Sequence, residues 1–174
     1  MIYNLLFIDM ADFYDFVEHW AEIYKPMQHI RGRNSKNERF FLTDTYMGLS
    51  DFMTNVQPLK SPCVIMETNL KGNLTEQFDT PRYTIYFMVR SDRMVDGREA
   101  KEAKSEAKMH MMKFFTYLKD KQDRNYSPVR NIRLENIDYQ TIGPLYNGWY
   151  GVTISLHDVE AIDRCISNED YLEA

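Results

Sequence analysis

The chain is short of the residues that mark disulfide frameworks, metal sites and membrane spans. Its 174 residues include two cysteines, seven glycines and six prolines. Cys63 and Cys165 show no CxxC spacing, so we expect neither a disulfide framework nor a zinc site, and we predict a reducing compartment. No apolar run approaches about 18 residues, and the opening segment lacks a basic flank and a cleavage site. The sequence therefore predicts no membrane contact and no signal peptide.

Common catalytic motifs are also missing. The chain contains no GxGxxG, GxxxxGK[ST], HExxH or GxSxG pattern, so it lacks the phosphate-cradling loop, the helical zinc pair and the nucleophile turn. Its four histidines fall in four different predicted elements: His19, His29, His110 and His157. A histidine on an amphipathic helix is more often a hydrogen-bonded residue at the core margin than a ligand. We therefore predict no enzymatic activity and no cofactor.

The composition is that of a folded domain. Hydrophobic residues make up 44% of the chain, charged residues 27% and aromatic residues 14%, which excludes disorder as the main state. The length predicts a single domain over residues 1–174. The net charge of -5 means that the surface does not generally attract phosphate backbones. Any contact with nucleic acid would have to be local.

The first third of the chain predicts helices. Apolar residues recur every three or four positions from Met10 to Tyr24, which indicates an amphipathic helix. The polar, basic stretch 31–39 predicts an exposed loop. A second helical pattern follows and ends before Pro58. Residues 31–60 are therefore predicted to be a helical insertion.

The remainder predicts strands around one long helix. Strands are expected at 63–68 and 83–90, joined by an arm at 69–81, and the alanine-rich stretch 96–123 predicts the helix. Two further strands, centred on Ile132–Tyr139 and Tyr150–Leu156, should form a hairpin, and an acidic tail occupies 158–174. The fold class is thus α+β: a mostly antiparallel four-stranded sheet covered by the long helix and the N-terminal helix. The expected shared core comprises Val64, Ile85, Phe87, Phe114, Leu118, Val152 and Ile154.

Two groups of side chains are candidates for binding. Aromatic residues gather near the last hairpin turn and predict an oligomer interface, although they could instead fold back as a cover for the hairpin. With two apolar arm residues, the interface candidates are Leu74, Phe78, Tyr146, Trp149 and Tyr150. Basic residues form the second group and indicate either a phosphate-facing surface or an ordinary solvated loop. The basic-surface candidates are Arg31, Arg33, Lys36 and Arg39, with Arg82, Arg90, Arg93 and Arg98 around the second strand.

One cluster would support a different class of function. His157, Asp158 and Glu160 stand together at the end of the last strand. Hard divalent cations prefer carboxylate oxygens, so the cluster is the candidate site of a small metal-dependent hydrolase or nuclease. No further carboxylate is predicted within a strand interior, and the alternative is simply a strand end that runs into an acidic tail. A protein-binding adaptor that presents the aromatic hairpin to a host partner is a third hypothesis.

The order of elements resembles that of the tail-terminator, or tail-completion, family of bacteriophages. The matching strands are SPCVIMET and PRYTIYFMVRSD, the matching helix is GREAKEAKSEAKMHMMKFFTYLKD, and the final pair is NIRLENIDYQ with NGWYGVTISLHDVE. The stretch NGWYGVTISL looks like the last strand of the family. The resemblance covers residues 61–160 and, more loosely, the first helix, whereas the insertion at 31–60 departs from the family pattern.

The resemblance implies a structural role without catalysis. Subunits of this family look like small α+β domains that form a ring, commonly of six, which terminates the tail tube or joins tail and head. The implied partners are further copies of this chain and tail-tube or neck proteins, with nucleic acid met only through a ring lumen. The implied location is the virion, assembled in the bacterial cytoplasm.

Overall fold

A computed structural model describes residues 12–32, 37–44, 59–68, 71–75, 78–91 and 97–161, together with Leu49 and Thr54. Within these residues, the helices are α1 (Phe13–Ile23) and α2 (Gly97–Asp123). The strands are β1 (Phe40–Thr43), β2 (Cys63–Glu67), β3 (Lys71–Leu74), β4 (Phe78–Arg90), β5 (Ile132–Arg133), β6 (Tyr139–Leu145), β7 (Trp149–Asp158) and β8 (Glu160–Ala161). Short 3-10 turns lie at Ser127–Val129 and Tyr146–Gly148.

The eight described strands form one sheet with five positions across it, called here tracks, and three of these tracks hold two strands end to end. β2 and β3 both pair with one side of β4, while β7 and β8 pair with its other side. β5 and β6 both pair with the far side of β7. All these pairings are antiparallel, whereas β1 adds to β2 in parallel and makes the sheet mixed. The α+β class is therefore confirmed, whereas the predicted four-stranded sheet differs from the observed one, which has eight described strands and one parallel pairing.

Both helices cover the same face of the sheet, called here the helix face. The Asp12 carboxylate caps α1 by accepting the Asp15 amide at 2.9 Å. α1 then buries Phe16 and Trp20, which meet Phe114 of α2 at ring-centroid distances of 6.3 and 5.1 Å. All seven predicted core residues are at most 2% exposed and belong to the single cluster on this face. The core prediction is therefore confirmed.

The opposite, rear face of the sheet carries a second and smaller apolar cluster. Its buried members are Phe41, Leu59, Cys63, Ile65, Met88 and Trp149. Gly151 is required here, because a Cβ at this position would lie 2.4 Å from the Met88 sulfur and 2.7 Å from the Phe87 carbonyl oxygen. Towards β3 and β5 the rear face becomes polar. The rear face is thus covered at one end of the sheet and open at the other, whereas the helix face is covered at both.

Several boundaries differ from the prediction. Residues 40–43 form β1, so the region predicted as a helical insertion at 31–60 contains an edge strand that the sequence analysis missed. The predicted helix before Pro58 lies outside the described residues except at Leu49 and Thr54, where the backbone is helical. The predicted arm at 69–81 contains β3 and the first residues of β4, because both segments find backbone partners in each other. The predicted acidic tail at 158–174 begins with the last residue of β7 and then contains β8, which also pairs with β4.

Phe114 offers a direct test of the helix-face core. Its ring is fully buried and contacts the rings of Phe16, Trp20 and Phe87. We expect Phe114→Ala to lower the free energy of unfolding by about 3 kcal/mol, through lost burial and a residual cavity. Met112 is 50% exposed on the same helix, so Met112→Ala should change it by less than about 0.5 kcal/mol. Urea unfolding measures both, and equal midpoints would show that α2 is not anchored by this ring.

Candidate functional site

The arm is a preformed hairpin. β3 pairs in register with the start of β4, from Lys71 opposite Arg82 to Leu74 opposite Asp79. The turn is closed at both ends: the Thr75 amide donates to the Phe78 carbonyl at 2.8 Å, and the Phe78 amide donates to the Thr75 hydroxyl at 3.0 Å. On its other side, β4 pairs with β8 at Phe78 and Asp79. The hairpin of β3 and the start of β4, called here the arm, therefore extends the main sheet, with β8 paired beside it.

Two apolar side chains stand at the tip of the arm. Leu74 is 77% exposed and Phe78 is 43% exposed. Leu74 lies opposite Asp79, whereas Phe78 has the other parity along β4, so the two side chains project from opposite faces of the arm. The tip therefore offers an apolar group to either side, which suits insertion between two surfaces better than contact with one.

The aromatic residues of the last hairpin do not form one exposed patch. Tyr146 is 48% exposed at the turn, as expected for an interface candidate. Trp149 and Tyr150 are 3% and 5% exposed, so they do not offer the exposed surface expected of interface candidates. Because they are neighbours on β7, they point to opposite faces, and each joins the core cluster of its own face. Of the two residues that the alternative takes as a cover for the hairpin, Trp149 and Tyr146, Trp149 is buried in the rear cluster and Tyr146 is exposed.

The predicted basic surface at 31–39 is largely engaged within the chain. The Arg31 guanidinium Nε donates to Glu22 at 2.5 Å and lies 3.4 Å from Glu18. Arg39 extends its guanidinium to the carbonyls of Ser61 and Pro62 and so ties β1 to the start of β2. Arg31 and Arg39 therefore do not form a free cationic surface. Arg33 and Lys36 lie outside the described residues.

His29 is part of the same α1 network. Its Nδ1 accepts the Arg39 amide at 3.0 Å, so Nε2 carries the proton and donates to Glu18 at 3.1 Å. His19 lies 3.2 Å from Glu22 on the helix surface. His29 thus joins α1 to the residue before β1, whereas His19 contacts a residue of its own helix.

The proposed metal cluster is divided by the sheet. His157 is exposed on the rear face, whereas its neighbour Asp158 is 8% exposed on the helix side of β7. The Glu160 side chain lies outside the described residues. Among the residues that the structure describes, no three His, Cys, Asp or Glu side chains are grouped to hold a metal ion. His157 and Asp158 do not face a common site.

The buried thiol and the buried histidine are shielded from solvent. Burial raises the pKa of Cys63 to about 12, so this thiol stays protonated and unreactive. His110 is 2% exposed, and its Nε2 faces the Glu106 carboxylate at 3.6 Å. With the proton on Nε2, Nδ1 accepts a hydrogen bond from the Tyr24 hydroxyl at 2.9 Å. Burial lowers the pKa of His110 although Glu106 acts in the opposite direction.

A row of basic residues crosses the rear face, and the sequence analysis identified only part of it. Register places Lys71 opposite Arg82, Arg82 opposite His157, and His157 opposite Arg133. Directly paired residues point to the same face, so these four side chains, called here the basic row, lie side by side. Arg82 and His157 were singled out in separate groups, whereas Lys71 and Arg133 were missed. Only strand register, which pairs residues as distant in sequence as Arg82 and His157, brings the four together.

Comparison with known proteins does not assign the chain to a family. No family model matches it, and no curated protein matches it in sequence. None of the described helices is long and apolar enough to cross a membrane. The functional argument therefore depends on the surface features of this chain.

His110 predicts a specific pH dependence of stability. The unfolded chain has a histidine pKa near 6.5, and burial lowers it in the folded state. As pH falls below about 6.5, the unfolded state binds a proton that the folded state does not, so stability decreases. His110→Gln should therefore lose less stability than the wild type between neutral and mildly acidic pH, measured by urea unfolding. Tyr24→Phe, which keeps the imidazole, should retain the wild-type loss; parallel curves for wild type and His110→Gln would contradict this account.

Proposed function

We propose that the protein is a structural subunit of a phage or prophage particle that forms a ring and terminates the tail or joins tail to head. The observation that carries this proposal is the arm, a paired hairpin with exposed Leu74 and Phe78 at its tip. The exposed parts of these two side chains bury no apolar surface within one copy. Because the hairpin is already paired, ordering it on a neighbour costs little conformational entropy.

The sheet also favours contact between unlike surfaces. Among the described strands, β1 borders the sheet on one side and β5 with β6 on the other, each with a neighbour on one side only. Exposed edges in natural proteins are covered or paired, and the two edges here differ in sequence and direction. A contact that joins one edge region or arm to a different surface of the next copy is heterologous, and such contacts form a ring when the rotation between copies closes and an open filament when it does not.

The resemblance to tail-terminator proteins supports the number and place of the subunits. It suggests a ring of six, located in the virion, with tail-tube or neck proteins as neighbours. Exposed apolar side chains elsewhere on the same protein provide a reference surface: Met109 and Met112 on α2 are 46% and 50% exposed. If exposure alone drove association, these methionines would matter as much as the arm.

The test compares the arm with that reference surface. Leu74→Ser with Phe78→Ser should abolish assembly, because both apolar groups that enter the neighbour are removed while the hairpin backbone is kept. The matched control is Met109→Ser with Met112→Ser, which should assemble as the wild type does. Light scattering after size exclusion, from dilute to concentrated protein and with tail-tube protein added, measures the mass of each variant.

Two results would contradict the proposal. One is a wild type that stays monomeric at high concentration and also fails to bind a tail tube. The other is an assembly that the arm variant forms as readily as the methionine control. All four positions are exposed, so both variants should unfold at the temperature of the wild type. Thermal unfolding therefore distinguishes a loss of assembly from a loss of folding.

A further inference from the structure

The basic row lacks the neutralising partners that surface cations normally have. Lys71, Arg82, His157 and Arg133 form no hydrogen bond or ion pair through their side chains with any other described residue, and the Nε atom of Arg82 is buried without a partner. By contrast, Arg31 contacts three carboxylates and Arg124 contacts one. Like charges directly opposite each other destabilise a sheet, and Lys71 faces Arg82 in this way. A local arrangement that costs stability indicates a function.

Three of the four residues of the row lie in a concave surface, and Lys71 continues the row beside it. Arg82, Arg133 and His157 line an open groove of about 1350 Å³ on the rear face, together with the exposed Arg130 and the hydroxyls of Thr153 and Ser155. Glu135 and Asp138, from the loop between β5 and β6, also line the groove, but neither forms an ion pair with the row. The groove therefore combines uncompensated cations with neutral hydrogen-bond donors.

Hydrogen bonds fix the segment that forms one wall of the groove. The Gln122 side-chain amide at the end of α2 donates to the carbonyls of Val129 and Ile132, at 3.2 and 2.7 Å. The Val159 amide donates to the Asn131 carbonyl at 3.2 Å. These bonds fix the segment that leads into β5 and thus fix the position of Arg133. A site whose charges are preorganised loses less entropy when a ligand binds.

The geometry of the row suits a linear polyanion. Neighbouring strands lie about 4.8 Å apart, so four residues on four adjacent tracks span about 14 Å. A nucleic-acid strand carries one phosphate charge per nucleotide, so over this length Lys71, Arg82 and Arg133 can each meet a different phosphate of one strand. A single straight row can follow the phosphates of one strand only, because the second strand of a duplex lies across a groove at least about 6 Å wide.

We propose that the basic row binds the phosphodiester backbone of single-stranded nucleic acid. Lys71, Arg82 and Arg133 contact successive phosphates, and His157 with the groove hydroxyls donates hydrogen bonds between them. Contacts to phosphates carry no base information, so the binding is independent of sequence. The net charge of -5 is compatible with this, because the attraction is confined to one groove. The proposal does not depend on ring formation, since all four residues belong to one chain.

Fluorescence anisotropy with a labelled oligothymidylate of about 12 nucleotides tests the proposal on the full chain. With three cations contacting phosphates, the slope of log affinity against log salt should be about -2. Arg82→Gln with Arg133→Gln should weaken binding by about tenfold and bring the slope to about -0.7. The matched control is Lys113→Gln with Lys119→Gln, which removes the same charge from exposed positions of α2 and should bind as the wild type does.

Competition experiments and a single substitution identify the ligand and exclude misfolding. The unlabelled oligothymidylate, an RNA of the same length and a duplex compete for the row, and the two single strands should displace the probe better than the duplex. Lys71 is exposed, so Lys71→Gln should keep the fold. By itself it should make the slope of log affinity against log salt less steep. Absence of wild-type binding at low salt, or equal losses in the Arg82/Arg133 and control variants, would overturn the proposal. If polyglutamate displaces the probe as effectively as the oligonucleotide at equal charge, the proposal is overturned in favour of an acidic protein segment as the ligand.

Discussion

Backbone pairing of β4 is the interaction on which the rest of the molecule depends. Its 13 residues hydrogen-bond to β2 and β3 on one side and to β7 and β8 on the other. One half of the strand carries Ile85 and Phe87 into the helix-face core, with Met88 in the smaller rear cluster. The other half leaves the core and becomes the arm. Stability and surface function are therefore carried by different halves of one strand.

The division along β4 also explains where charge can accumulate. Near Met88 the rear face is covered by apolar side chains, so a cation there would lose its hydration without compensation. Towards Arg82 the rear face is open, and charged side chains keep contact with water. The basic row lies at Arg82, where β4 pairs with β3 on one side and with β7 on the other, and where β7 in turn pairs with β5. At this position the main sheet passes into the arm. Its location follows from the end of core coverage.

Local periodicity accounts for what the sequence could predict. The alternation around Phe87 and the stripe that contains Phe114 are properties of short segments, so the antiparallel tracks, α1, α2 and the shared core could be derived from them. β1 could not, because four residues after a polar loop show no period, and their parallel pairing with β2 depends on a neighbour more than twenty positions away. The site was harder for the same reason. Burial of Trp149 and Tyr150, and the alignment of Arg82 with Arg133, depend on strand register across the sheet.

The unbroken register from β7 into β8 has a mechanical consequence. Arg82 pairs with His157 and Asp79 with Glu160, so β4 keeps one alignment with this track from the core to the base of the arm. A pull on the arm along the strand direction therefore loads many ladder hydrogen bonds at once, in shear, rather than one after another as in peeling. On the other side, a two-residue offset separates the β2 and β3 pairings with β4, and the ladder there is interrupted. We therefore expect the arm to resist tension through its pairing with β7 and β8, and to yield first on the side where the register with β2 and β3 is offset.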